Sequence, residues 1–350
     1  MLMRRTQGGA DLIIARATRA AFDAVTAAAD PSHAFLRHAW FEAEAGKRLL
    51  ALAICRASGA PVAALAARWA GLGMLRISTV PGSYWPLRAF PIAADATDSE
   101  LVELLGRTEV RSFLGLAWRM GPVPANDSTA LRLCELAPAA GWSVLTRHLG
   151  TSFELDFARL RSEGPWPRTS SQASNRRRER KLAGHGELKF RFLTGRDWTS
   201  ADRDSIARIE AESWLSGIGA AADTKFHDAG RRRMWESAAQ DPAIADMIAC
   251  SMLLVGGEPA AFAFGIEAGG VRHDIANGYS QRFAAFGPGK LLLYRDFERA
   301  ADRGITRVDW GSGDAGYKSE MGATPGPEIV DLLFVRAGLP AAALRRWWSR

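Results

Sequence analysis

The sequence predicts an α/β chain of the α+β kind, built from two related halves. Three features point there. The chain has 350 residues, 47% of them hydrophobic. That is too long for one ordinary domain and apolar enough to bury a sizeable core. A pair of apolar runs joined by a Gly/Pro turn occurs twice, at an offset of 198 residues. Near the C-terminus the residue types read in the order strand, glycine loop, helix, strand.

In the first half, residues 20–50 read as helical with a break at Pro31. Residues 49–56 and 62–67 flank the turn Gly59-Ala60-Pro61 and read as a β-hairpin. Their alanine content keeps helix open as a rival, since Ala is the best helix former. Residues 72–80 read as a further strand. Residues 98–105 read as a helix, with Asp98 or Ser99 as its N-cap. Residues 161–167 hold Gly164, Pro165 and Pro167, a linker composition. They place the halves at 1–165 and 166–350.

The second half opens on a basic segment in which Ser174 is suited to cap a short helix. Residues 175–181 carry five positive charges and one negative, more than half of the chain's net +7. Asp202 or Asp204 is suited to cap a helix with Ile206, Ile209 and Trp214 on one face. Residues 248–255 and 260–267 flank Gly257-Glu258-Pro259 and repeat the first hairpin, with the shared pattern G-x-P-x-A. Residues 271–279 read as a strand, 291–303 as a helix ended by Gly304, and 305–310 as a strand.

The loop before that helix contains Gly287-Pro288-Gly289-Lys290. A glycine loop opening a helix leaves backbone N–H groups without internal partners. The helix dipole adds about half a positive charge there, which suits a phosphate or pyrophosphate. Lys290 opposes the dipole and is disfavoured unless an anion is near. The same residues equally suit a plain strand-to-helix turn. Their spacing is neither that of a P-loop nor that of the G-x-G-x-x-G dinucleotide fingerprint. Past the next strand, Gly311, Gly313 and Gly316 are interleaved with Asp314, Tyr317 and Lys318. That pattern reads either as an active-site rim or as a glycine loop with solvated charges.

Several function classes are disfavoured. Of 45 basic residues only six are Lys, so an arginine-rich composition accounts for the net charge, and the charge alone argues little for nucleic acid. Cys55, Cys134 and Cys250 lie far apart in apolar surroundings, as buried thiols in a reducing compartment do. No Cys/His spacing suits a metal. No apolar run reaches the roughly 20 residues of a membrane span, and no signal peptide is expected. The expected location is cytoplasmic. Residues 344–350 read as a terminal helix packing Trp347 and Trp348, or as a contact with a membrane surface.

Taken in order, four segments resemble the GNAT superfamily of N-acetyltransferases, more narrowly the duplicated branch of CelD-like acetyltransferases and Fem-type peptidyl transferases. They are the basic stretch from Ser174 to Leu182, the hairpin at Gly257-Glu258-Pro259, the run from Phe286 to Leu293, and Asp309-Trp310-Gly311 with the loop through Lys318. The resemblance covers residues 170–335 well and the first half more loosely. It implies two tandem domains, each a mixed, mostly antiparallel twisted sheet flanked by helices. It implies acetyl-CoA or another acyl-CoA as co-substrate and no metal. The pyrophosphate would lie on Arg282, Phe286, Gly287, Pro288, Gly289 and Lys290. The acceptor would be an amine or hydroxyl of a small molecule or saccharide, in a cleft between the halves, with cell-envelope or exopolysaccharide biosynthesis as the setting. Arg176, Arg177, Tyr84 and Lys318 would bind substrate. Tyr317 would be the acid that protonates the leaving thiolate, with Asp309 or Asp314 as the base. The usual GNAT loop needs a Gly where Ala285 stands. The first half has no glycine before its 98–105 helix, so one donor site is expected per chain. Two rival readings remain. One is Fem-like transfer from aminoacyl-tRNA, with residues 175–181 and Arg231-Arg232-Arg233 on RNA phosphates. The other is a non-catalytic binding protein of the same fold.

Overall fold

The computed structural model describes residues 11–70, 77–82, 87–212, 224–314, 316–338 and 348. They divide into two units, Met1–Gly150 with Pro327–Arg350, and Thr151–Gly326. In the first unit β1 (Leu12–Arg16), α1 (Arg19–Ala28) and α2 (His38–Ala45) precede the hairpin of β2 (Leu50–Arg56) and β3 (Pro61–Ala70). Then come β4 (Ile77–Thr79), α3 (Asp98–Gly106), α4 (Thr108–Leu114), β5 (Ala117–Pro124) and α5 (Ser128–Leu136). β6 (Trp142–Asp156) leaves the unit at Gly150.

The second unit holds α6 (Phe157–Glu163), α7 (Thr169–Ala183), β7 (Leu188–Thr194), α8 (Ser200–Glu212), α9 (Ala229–Ala238) and α10 (Pro242–Met247). The hairpin of β8 (Ile248–Val255) and β9 (Glu258–Ala268) leads to β10 (Val271–Tyr279), α11 (Pro288–Asp302), β11 (Arg307–Ser312) and α12 (Tyr317–Met321). β12 (Thr324–Arg336) re-enters the first unit at Pro327.

Both units repeat one strand order, β1-β2-β3-β4-β5-β12 in the first and β7-β8-β9-β10-β11-β6 in the second. Neighbours are antiparallel except at the fourth and fifth strands, where β4–β5 and β10–β11 run parallel. The last strand of each sheet comes from the other half of the sequence. Ile329–Val335 of β12 pair with β5, and Ser152–Asp156 of β6 pair with β11. A boundary at 165/166 therefore misplaces 151–165 and 327–350. Backbone pairing of these two strands decides where they belong, and residues 161–163 are the last turn of α6 rather than linker.

The two hairpins fall where expected, and strand wins over helix at residues 62–67 despite the alanines. Positions 62–67 of β3 are all buried. A run covered on both faces needs small apolar side chains more than alternation. The caps differ by a few residues. Thr97, not Asp98 or Ser99, caps α3, its Oγ1 accepting from the Glu100 amide while Glu100 accepts from the Thr97 amide. α7 begins five residues before Ser174. Of the expected strand at 72–80, residues 77–79 are β4; 71–76 lie outside the described residues, as do Tyr84 and all of the C-terminal segment except Trp348. Trp348 is buried, with the Arg147 guanidinium 4.4 Å from its ring centroid, so this Trp packs against the protein. Among the described residues no helix is long and apolar enough to cross a membrane.

Aromatic clusters fill both cores. In the first unit Trp118 stacks on Phe334 at 3.8 Å. In the second, Phe264 of β9 is fully buried among Trp198, Phe226 and Trp235, with ring centroids 4.8–5.7 Å apart. Phe264→Ala is expected to cost about 3–5 kcal/mol of stability in urea unfolding. Ile13→Ala, at a half-exposed site on β1, should stay within about 0.5 kcal/mol.

Candidate active site

The site lies in the second unit, where β10 passes through a 3-10 turn (Gln281–Phe286) into α11. Gly287 precedes the helix at φ 64° and ψ 47°, a left-handed conformation that favours glycine. A Cβ on it would also lie 2.9 Å from Arg178 Nε. Pro288 occupies the first turn, no side chain caps the helix, and the first turn holds no acid. The first N–H groups of α11 are thus bare of side-chain acceptors.

Two cations crowd this end. Lys290 pairs with Glu320 of α12, and burial followed by the charge of Arg178 pushes its ammonium below the usual range. Arg178 reaches the loop from α7, its Nη1 donating to Asn175 Oδ1 at 2.7 Å. Burial lowers its pKa as well. Arg176 and Arg177 are exposed, so the residue of the basic segment that faces the loop is Arg178, which sequence reasoning passed over. Every third or fourth residue of a helix shares a face, and counting back from buried Leu182 and Asn175 singles out Arg178. Phe286 packs on His185 with centroids 4.6 Å apart. Arg282 is exposed and lines a cavity of about 480 Å³ with Arg208, Ile209, Pro259, Ser280 and Phe283.

Beside this loop the parallel pair comes apart. Its register runs Val271↔Arg307, Arg272↔Val308, His273↔Asp309 and then stops. β10 continues for six residues and β11 for three. Asp274 sits at the fork, at an irregularity in the β9–β10 register. It is buried, with Oδ2 accepting from Asn277 Nδ2 at 3.1 Å and Oδ1 3.8 Å from Arg272 Nη2. Burial pushes its carboxyl up to about 6, against the pull of Arg272. Tyr317 opens α12 with its ring edge on Trp310. Burial and the charge of Asp274 push its phenol up to about 12, against the pull of the Asn277 amide. Asn277 therefore lies close to both a carboxylate and a phenol. Asp274 was not singled out from sequence. The signal was there, as three consecutive ionisable residues, Arg272-His273-Asp274, within a strand otherwise suited to the core.

The other expected site residues hold the fork in shape. Asp309 is buried and accepts from Ser152 Oγ at 2.5 Å and the Gly311 amide at 3.2 Å, with His273 Nδ1 3.4 Å from its other oxygen. Asp314 is half-buried and accepts from the Gly316 and Lys318 amides and the Ser319 hydroxyl; the Ser319 bond is the largest of the effects that lower its pKa. Lys318 is buried and directs Nζ at the carbonyls of Trp310, Gly311 and Ser312, at 2.7–3.3 Å. Its three donors are spent on β11 and leave none for a substrate. Arg231 and Arg232 are likewise engaged, on the Thr224 carbonyl and on Asp204 and Glu236.

The corresponding helix of the first unit does not have the bare end. α3 follows β4 as α11 follows β10, but its N-terminus is closed by the Thr97–Glu100 capping box and carries Asp98 and Glu100 in its first turn. Arg56 holds Glu100 there at 2.6 Å.

A family model for the acetyltransferase (GNAT) domain matches residues 170–319. No curated protein matches the sequence. Among solved structures, FemX aligns over 95% of this chain and 99% of its own, at 12% identity and a TM-score of 0.62. L-PGS from Bacillus licheniformis aligns over 95% and 94%, at 13% identity and 0.54. A conserved protein of unknown function from Bacteroides thetaiotaomicron aligns over 93% and 99%, at 12% identity and 0.54. At such identities the likeness is one of fold. The match of residues 170–319 to the acetyltransferase (GNAT) domain model covers 150 of the 350 residues, and it is this segment that is similar to that domain.

Proposed function

We propose that the chain moves an acyl group from acyl-CoA, with acetyl-CoA the simplest donor, to an amine or hydroxyl of a small-molecule or saccharide acceptor. The observation that carries this reading is the uncapped end of α11 directly beside the fork of β10 and β11. The helix end, with Arg178 and Lys290, suits a pyrophosphate. The parted strands suit an extended acyl arm, which can pair with strand edges.

Asp274 is the base in this reading and Tyr317 the acid. Around pH 7–8 a carboxyl near 6 is ionised and a phenol near 12 keeps its proton, so each group is in the state its role requires. The acceptor's proton goes to Asp274, and the leaving sulfur takes the phenolic proton of Tyr317. Asn277, hydrogen-bonded to Asp274 and close to Tyr317, orients the carboxylate toward the phenol. Attack is direct: burial pushes the Cys250 thiol up to about 12 and Cys134 up to about 11, which leaves neither a ready nucleophile.

Asp274→Asn should lower kcat/KM by about 10²–10⁴-fold and abolish the fall in activity below about pH 6. The same change should stabilise the fold. The native carboxyl, near 6, lies above its unfolded value, so its stabilising contribution is full below pH 4 and lost as pH rises through 6. At pH 8 the gain in urea unfolding should be about 1–3 kcal/mol. Full turnover in Asp274→Asn with loss in Asp309→Asn would move the base to Asp309.

Arg178→Ala and Lys290→Glu should each weaken CoA binding by about tenfold or more in calorimetric titration, and Arg176→Ala by about twofold or less. Exposed Arg176, Arg177, Arg180 and Lys181 on α7 favour a second donor class, aminoacyl-tRNA. Binding of tRNA without binding of CoA would select it.

A further inference from the structure

We propose that the first unit carries a phosphate-binding site of its own, formed by Arg88 with Arg119 and Arg147 where β4 leaves β5. Strand register sets the frame. Arg68 of β3 is opposite Thr79 of β4, and Thr79 is opposite Arg119 of β5, so Arg68 and Arg119 stand in one row across three strands. β4 ends at Thr79, and the Arg88 amide donates to the Pro122 carbonyl of β5 at 3.0 Å. Arg88 Nε donates to the Gly82 carbonyl, just past the end of β4, at 3.0 Å.

Most cations around this point have a carboxylate. Arg119 binds Asp331 of β12 through Nε at 3.0 Å and Nη2 at 2.7 Å, and Arg147 of β6 binds it at 2.5 Å. Asp331 is fully buried, whereas each arginine side chain is about a third exposed, with the Trp348 ring centroid 4.4 Å from the Arg147 guanidinium and 5.9 Å from that of Arg119. Arg68 pairs with Glu44 at 3.3 Å. Arg88 is half-buried, and among the described residues no carboxylate lies within ion-pair distance of it. The charges acting on Arg88 are those of Glu44, Arg119, Arg68 and Asp331, and burial pushes its guanidinium down from the usual value.

Among the described residues, four guanidiniums are thus grouped with two carboxylates, a surplus of two positive charges. A half-buried cation without a counterion is costly, and an anionic ligand removes the cost. A phosphate monoester carries about −1.5 to −2 at pH 7, which matches the surplus, and forked guanidiniums bind its oxygens in pairs. A carboxylate, at −1, would neutralise half of it. The phosphate is either free or part of a phosphorylated small molecule.

The test uses the full chain carrying Lys290→Glu, which disables the α11 end. Calorimetric titration with inorganic phosphate and with a sugar 1-phosphate should each show one site, and the tighter of the two identifies the source. Adding Arg88→Gln, or Arg147→Met should Arg88→Gln fail to fold, should weaken binding by about tenfold or more. Phosphate should also protect Arg88 from phenylglyoxal, read by mass spectrometry. The proposal is overturned if the Lys290→Glu chain binds neither ligand, if the added substitution leaves binding unchanged, or if acetate binds as tightly as phosphate. None of these outcomes bears on acyl transfer in the second unit.

Discussion

The parallel pairing of β10 with β11, held for three residue pairs and then released, is the constraint on which the second unit depends. A parallel pair needs a crossover between its strands, and here the crossover is α11. The release after His273↔Asp309 sets Asp274 free of β11, and the same crossover brings the helix end to that point. Side chains set the length of the paired stretch. Asp309 ties the last paired position of β11 to Ser152 on one side and to Gly311 ahead of it. Lys318 gathers the next three carbonyls onto one ammonium. Three carbonyls turned toward Lys318 are not available to β10, so the strands cannot close further.

A second consequence follows from what lies behind the fork. Arg272 is buried with Glu267 at 3.1 Å and Asp296 at 2.6 Å, and the Ser251 hydroxyl also donates to Asp296. Asp296 belongs to α11, Glu267 to β9 and Ser251 to β8, so one guanidinium registers the helix against three strands. It is shared among more negative charge than it can neutralise. Burial outweighs the pull of Arg272 at Asp274, 3.8 Å away, and also at Asp296, so both carboxyls rise. The network that positions α11 thereby also sets the protonation of the group at the fork.

Much of this was legible in the sequence. Turn chemistry at Gly59-Ala60-Pro61 and Gly257-Glu258-Pro259 located both hairpins, and Gly287-Pro288 located the start of α11, because these residues act locally. The exchange of β6 and β12 was not legible, because a strand's partner depends on pairing that no local pattern encodes, and the Gly/Pro composition near 164–167 pointed elsewhere. The site was read in part. Tyr317 and the helix end stand out by residue type. Asp309, Asp314 and Lys318 stand out equally, and only their hydrogen bonds show them spent on backbone and neighbouring hydroxyl groups. Arg178 and Asp274 were missed because exposed, half-buried and buried charges look alike in a sequence.

The repeated strand order makes the difference between the units informative. Both place a helix after the fourth strand, and the fold alone would give each an anion-binding end. In α3 the Thr97–Glu100 box takes the free amides and Asp98 and Glu100 add negative charge, so a phosphate there would meet occupied donors and repulsion. In α11 the corresponding positions are Gly287, Pro288 and Gly289 with Lys290, which leave the amides free and reverse the charge. Three or four side chains thus decide which copy of the fold keeps a bare helix end. In the first unit the positive charge sits instead on Arg88, Arg119 and Arg147, beside the strands rather than at the helix. In the two readings proposed above, the copies would offer anions two different kinds of site, backbone amides in one and guanidiniums in the other, on a shared plan of strands.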